Sequence, residues 1–346
     1  MNASPFDKKR EHVASGGCSA LSYETRDGKH LFARNYDCPS AQGASVIFIP
    51  RNLEIPLLQH KINAATMTTR LACLGMGCID FAAPLLFDGV NEKGLCGGML
   101  HYSHSSDSEP VELASHSINS SFYLTALLSS CGSVEDAVTF VREHALSKEE
   151  LIVGLPTQYH YFLTDSTGEA LIIEPDEQGL NVFRHSIGVL TNAPSYSWHL
   201  INLRNYLTVR SSQPMPQKIL GDNLKPLSVG AGGLGLPGDF TSPSRFVRLA
   251  FAKDALPEAK DERDGVTKVM SALGCVTIPQ GFTHNGEGFI EETLYSAAMC
   301  SESKKYYVTL FSNRRLTSYS LDVELKGHEI KQFTLPLTQD IAMGNF

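Results

Sequence analysis

Asp27-Gly28 is the pair that most constrains this chain. It separates two runs rich in apolar and β-branched or aromatic residues, Cys18 to Thr25 and Lys29 to Asp37, and Asp-Gly between such runs is a strong signal for a tight hairpin. A two-residue type I′ turn needs positive φ at both central positions, which Asp and Gly tolerate. In that form Arg26 pairs with Lys29 and, following the ladder back, Cys18 falls opposite Asp37. Directly opposed residues hold their Cβ atoms roughly 4.5 to 5.5 Å apart, so a thiol and a carboxylate are predicted to be neighbours. Arg34 would then pair with Leu21. Its odd separation from Asp37 puts the two on opposite faces of a regular strand. Both reach Cys18 only if a bulge or a strand end intervenes near Asn35 and Tyr36, and bulges are common next to active sites.

The pair gains a chemical meaning if residues 1 to 17 are removed. Cys18 then carries a thiol and a free α-amine, whose unperturbed pKa is about 7.7 to 8.0. Activation of a terminal nucleophile by its own amine replaces a separate histidine, and Asp37 is placed to orient the ammonium form. Gly16 and Gly17 suit the cleavage, because residues without Cβ permit close approach of a nucleophile to the preceding carbonyl. The plainer reading of the same residues is a small buried cysteine behind a flexible Gly-Gly lead-in.

Cys18-Ser19-Ala20-Leu21-Ser22 and Leu31-Phe32-Ala33-Arg34-Asn35-Tyr36-Asp37 resemble the start of the choloylglycine hydrolase and penicillin V acylase family of N-terminal nucleophile amidases. The likeness runs through almost the whole chain after residue 17. It includes Asp88-Gly89-Val90-Asn91, Ile173-Glu174-Pro175-Asp176, Gly188-Val189-Leu190-Thr191-Asn192-Ala193-Pro194, Trp198-His199 with Asn202, and Gly232 to Asp239 followed by Arg245-Phe246. Several motifs in order are far more specific than one. Among the branches the match looks closest to penicillin V acylases of the Gram-positive type.

The resemblance implies roles at matching positions. Cys18 corresponds to the nucleophile, exposed by autoproteolysis after Gly17, with its α-amine as general base. Arg34 and Asp37 correspond to residues that hold the thiol and amine, Asn192 to an oxyanion-hole side chain, and Arg245 to an arginine near the nucleophile. The backbone N–H of His101 is the expected second oxyanion donor, with His101 also a substrate-binding residue. At that position penicillin acylases of the family carry tyrosine and bile salt hydrolases asparagine, so His101 departs from both. The family fold is an α+β, four-layer αββα sandwich, and family members are commonly homotetramers. The chemistry requires neither cofactor nor metal.

Composition fits this reading. The 346 residues give ample length for a large layered core, and no long linker or internal repeat divides residues 18 to 346, so one domain is expected. A net charge of -8 argues against a nucleic-acid surface. No run approaches the roughly 18 apolar residues of a membrane span. Residues 1 to 17 are polar and charged around Lys8-Lys9-Arg10 and lack the apolar stretch of about 7 to 15 residues that a secretory signal needs. They read as a short pro-segment of a cytoplasmic protein. The eight cysteines fit a reducing compartment, and Cys73 with Cys78 lacks the second pair that zinc spacing demands. Gly230, Gly232 and Gly235 satisfy a dinucleotide pattern, but Pro237 and Gly238 stand where that pattern needs a helix. The next helix is predicted from about Pro243, carrying Arg245 toward the site.

Elsewhere the patterns predict strands to about residue 102, helices over Ser120–Ser130 and Ser133–His144, and a hairpin of Tyr159–Asp165 with Glu169–Glu174. Helices follow at Pro243–Asp254 and Val266–Leu273, then strands at Tyr306–Phe311 and Thr317–Val323. Grouped strands and grouped helices indicate stacked layers. The function expected is hydrolysis of a linear amide through an acyl-enzyme on Cys18, most simply of a phenoxyacetyl penicillin. Conjugated bile salts and N-acyl homoserine lactones are the alternatives. Rivals of other kinds are a binding protein that kept the fold without the chemistry, and a Cys-His hydrolase using an internal Cys18.

Overall fold

A computed structural model describes residues 17–39, 43–56, 66–80, 83–102, 117–147, 159–176, 179–227, 229–284 and 290–344. The segment 1–16, to which most of the expected pro-segment belongs, lies outside the described residues. The first strand, β1 (Cys18–Glu24), and the second, β2 (His30–Asp37), form the predicted hairpin. Its turn differs from expectation. Only Gly28 takes positive φ, at 75°, and the Thr25 N–H donates to the Lys29 carbonyl at 2.9 Å while the Thr25 hydroxyl accepts from the Lys29 N–H at 2.9 Å. This is a three-residue loop ending in a left-handed glycine, the next commonest hairpin connection.

The extra loop residue slips the register by one. Cys18 therefore lies opposite Tyr36, not Asp37, and Arg34 lies opposite Ala20, not Leu21. A one-residue slip exchanges the faces of a strand, so Arg34 joins Cys18 on one face. The same parity carries Asp37 away. Asp37 accordingly sits beside Gly17, whose carbonyl accepts its N–H at 2.9 Å, and a bulge in the facing strand brings it a partner: Tyr36 pairs with Tyr295 but Asp37 with Thr293, leaving Leu294 as the extra residue. The irregularity expected near Asn35 and Tyr36 is present one residue on, between Tyr36 and Asp37.

The hairpin sits inside a six-stranded antiparallel sheet in the order Val189–Leu190, β1, β2, Thr293–Cys300, Lys305–Leu310, Thr317–Ser320. A nine-stranded sheet runs Gly179–Phe183, Ala170–Asp176, Tyr159–Thr164, Cys96–His101, Asp88–Asn91, Cys73–Asp80, Ser45–Ile49, Lys331–Phe333, with Ala83–Leu86 added on Cys73–Asp80. The two sheets pack face to face, as Phe32 shows with its ring edge-on to Phe162 at 5.2 Å. Burial on both faces explains why Thr293–Cys300 is buried at every position.

Helices close the outer faces. α1 (Ser120–Ser130) is buried throughout and packs on the nine-stranded sheet beside Asp88–Asn91. α2 (Val134–Glu143) starts at the N-cap Ser133, whose hydroxyl accepts the Asp136 N–H at 3.1 Å, with Glu135 and Asp136 in the first turn. α3 (Tyr196–Leu203) was not predicted. α4 (Ser242–Asp254) and α5 (Glu262–Gly274) cover the six-stranded sheet, and α5 begins four residues earlier than expected because Asp261 caps it, accepting the Asp264 N–H at 3.0 Å. The last predicted strand stops at Ser320, and Leu321–Glu324 forms a helical turn instead. The result is the four-layer αββα sandwich of N-terminal nucleophile hydrolases.

Candidate active site

The site forms at the Cys18 end of β1, on the face that looks toward the nine-stranded sheet. Cys18 is buried. Its sulfur lies 2.7 Å from Arg34 Nη2. The other guanidinium nitrogen, Nη1, donates to the carbonyls of Phe87 at 2.7 Å and Met99 at 2.8 Å and stands 3.5 Å from Asp88 Oδ2. Asp88 is held in turn by the hydroxyls of Tyr295 and Tyr306, each donating at 2.6 Å. Burial opposes the charge on Arg34, but the Cys18 sulfur, Tyr295 and Asp88 more than offset it and raise its pKa. The Cys18 thiol is pushed up by burial, with Arg34 pulling the other way.

Asp37 is fully buried beside it. Oδ1 accepts the Thr293 hydroxyl at 2.5 Å, a contact delivered by the bulge. Oδ2 has no hydrogen-bond partner among the described residues, and the nearest cation is Arg245 Nη1 at 3.8 Å. Burial raises the Asp37 pKa against Arg245 and Thr293. A buried carboxylate oxygen with no donor is a costly arrangement.

Asn192 and Arg245 complete the cluster. Asn192 Oδ1 accepts the backbone N–H of Cys18 at 2.8 Å and Arg245 Nη2 at 2.7 Å, while Nδ2 donates to the His101 carbonyl at 2.7 Å. Arg245, on the first turn of α4, also donates from Nη1 to the carbonyl of Cys18 and to Ser19 Oγ at 2.8 Å, and from Nε to the Phe240 carbonyl at 2.9 Å. The backbone of Asn192 is fixed by Ser242 Oγ, which donates to its carbonyl at 2.9 Å and accepts its N–H at 2.9 Å, and by His199 Nε2 at 2.9 Å. All six residues singled out in the sequence therefore converge: Cys18, Arg34, Asp37, Asn192 and Arg245 directly, His101 through its backbone.

The supporting set was not legible beforehand. Asp88 and His199 were noted only within motifs, and Tyr295, Tyr306 and Ser242 reach the site from distant segments with no local signature. No histidine ring among the described residues hydrogen-bonds Cys18. A cavity of about 590 Å³ opens elsewhere, at the other end of β1, lined by Ser22, Tyr23, Ile187, Leu203, Phe251 and Lys253 among others. None of the six converging residues lines it.

Comparison with known proteins agrees with this geometry. Residues 18–333 match the model of the linear amide C-N hydrolases, choloylglycine hydrolase family, so the match begins at Cys18. A bile salt hydrolase/transferase of Clostridium perfringens is 36% identical over 330 residues, covering 94% of this chain and 98% of that protein. The crystal structure of a mutant conjugated bile acid hydrolase from Clostridium perfringens superposes with a TM-score of 0.87 at 34% identity, over 95% of this chain and 100% of the other. A penicillin V acylase from Agrobacterium tumefaciens shares the fold, with a TM-score of 0.70 at 19% identity over 88% and 86% of the two chains. The chain belongs to the choloylglycine hydrolase family and is a cysteine N-terminal nucleophile enzyme acting on linear amide C–N bonds.

Proposed function

We propose that the chain cuts itself after Gly17 and that the exposed Cys18 hydrolyses conjugated bile acids. The observation that carries the reading is the Cys18 backbone nitrogen held at 2.8 Å by Asn192 Oδ1, with the unpartnered Asp37 Oδ2 beside it. Once free, that nitrogen is an amine whose ordinary pKa is about 7.7 to 8.0. It takes the thiol proton as sulfur attacks the amide carbonyl, Asp37 balances the ammonium, and the Arg34 guanidinium stabilises the developing thiolate. The tetrahedral oxyanion is received by Asn192 Nδ2 and the His101 N–H. The ammonium returns its proton to the leaving nitrogen, and water then releases the acyl group from sulfur. Arg245 fixes the Cys18 carbonyl and the Asn192 amide, which sets the direction of the amine.

The bile acid preference rests on the relatives above. Penicillin V remains the second reading because the two substrate classes share the fold and His101 matches the residue typical of neither. Side-by-side turnover of conjugated bile acids, penicillin V and N-acyl homoserine lactones, by wild type and Cys18→Ala, tests the assignment. Conjugated bile acids are expected to be hydrolysed fastest, and only by wild type; a clear preference for penicillin V overturns the substrate assignment.

Homotetramer assembly belongs to the same reading. An excursion over 204–235 leaves Leu207, Met215, Leu220, Leu227 and Leu234 exposed, an apolar display that a partner subunit would cover. Light scattering on the purified protein tests it. No described helix is long and apolar enough to cross a membrane.

A further inference from the structure

Every polar group of the Gly17–Cys18 peptide has a partner. The Gly17 carbonyl accepts the Asp37 N–H at 2.9 Å, the Cys18 N–H goes to Asn192 Oδ1 at 2.8 Å, and the Cys18 carbonyl accepts from Arg245. One contact has no use in amide turnover. The carboxylate of Glu291 accepts the backbone N–H of Gly17, and a Cβ on Gly17 would fall 2.6 Å from Glu291 Oε1 and 3.2 Å from Arg245 Nη2. The carboxylate is therefore seated on the Gly17 Cα itself. Glu291 lies two residues before Thr293, the residue that binds Asp37, so one segment holds both the group before the scissile bond and the carboxylate after it. Burial and the neighbouring Asp37 carboxyl push the Glu291 pKa up, with the Arg245 guanidinium pulling the other way.

We propose that Glu291 is a positioning residue for self-cleavage, clamping Gly17 through its N–H so that the Gly17 carbonyl faces the Cys18 thiol with the Asp37 N–H as its oxyanion donor. The inference rests on the reading that the chain cuts itself after Gly17. In the step it serves, Cys18 sulfur bonds to the Gly17 carbonyl carbon, the carbonyl oxygen gathers charge on the Asp37 N–H, and the C–N bond breaks. The thiol proton ends on the Cys18 nitrogen. A water then hydrolyses the resulting thioester, giving residues 1–17 with a free carboxylate and restoring the thiol. Cleavage thus uses the Asp37 N–H as donor, and amide turnover uses Asn192 and His101. The two reactions of Cys18 have separate oxyanion sites.

The test is a time course of intact mass during cell-free synthesis of the full chain, for wild type, Glu291→Ala, Glu291→Gln and Glu291→Asp. Gln keeps an acceptor at the same reach, and Asp keeps the charge but retracts it. Ala and Asp are expected to slow cleavage by about tenfold or more, as small misplacements of reacting groups do, while Gln stays within about threefold of wild type. Thermal unfolding of the uncut chains separates this from loss of fold, and Asp serves if Ala does not fold. Wild-type rates in both Ala and Asp, or a Gln variant as slow as Ala, would overturn the clamp while leaving self-cleavage intact. A wild type that keeps residues 1–17 overturns both.

Discussion

Arg34 Nη2 lies 2.7 Å from Cys18 Sγ, while Nη1 is tied to the backbone of the opposite sheet at Phe87 and Met99. One side chain thus carries the position of the nucleophile across the sandwich. A lysine in its place keeps the charge but cannot make three directed contacts at once. Arg34→Lys is expected to lower kcat by about tenfold or more, read as turnover per mole of matured chain.

Asp88 secures Arg34 from behind. Removing its carboxylate leaves a buried guanidinium without its acid and strands the hydroxyls of Tyr295 and Tyr306. Breaking a buried pair on one side typically costs about 3 to 5 kcal/mol. Asp88→Ala is therefore expected to unfold at clearly lower denaturant, and an unchanged midpoint would remove Asp88 from the account.

Asn192→Ala removes both the acceptor for the Cys18 nitrogen and the Nδ2 donor. The loss of one oxyanion donor costs roughly 3 kcal/mol in the barrier, about a hundredfold in kcat. Steady-state kinetics should show the loss chiefly in kcat, with KM little moved.

His199 gives the protein an acid-side weakness. It is fully buried, stacks on Phe246 at 4.5 Å, and burial pushes its pKa down to about 4. Unfolded, it returns to about 6.5. Between those values the unfolded chain binds a proton that the folded chain refuses, so stability falls as pH drops from about 6.5 toward 4, by up to roughly 3 kcal/mol. His199→Phe loses a hydrogen bond to Asn192, a cost of about 1 kcal/mol near neutrality, but Ser242 still serves that carbonyl. Unfolding midpoints against pH should show a shallower acid decline in the variant.

Gly17→Ala is expected to slow cleavage. Its Cβ meets Glu291 Oε1 at 2.6 Å, closer than real contacts allow, and relief requires moving the clamp or the scissile carbonyl. Intact mass against time reads the effect.

The residues of this site were legible in the sequence, but their geometry was only partly so. Cys18, Arg34, Asp37, Asn192, Arg245 and His101 meet as expected. The ladder did not follow the two-residue turn, because Asp-Gly also suits a loop in which glycine alone is left-handed. That single residue decides which face Arg34 occupies. The irregularity expected near Asp37 is present, yet its extra residue, Leu294, belongs to a strand more than 250 positions away. Glu291 carried no signal for the same reason. Its meaning comes from a sheet pairing that no local pattern encodes. α3 went unpredicted because its hydrophobic pattern is weak and Tyr196 and His199 are the buried residues along it.

The most direct measurement is the intact mass of purified wild type beside Cys18→Ala. The account predicts a wild type that begins at Cys18 and a variant that keeps residues 1–17. A wild type that retains the segment and still hydrolyses amides would contradict it, since the α-amine could not then be the base.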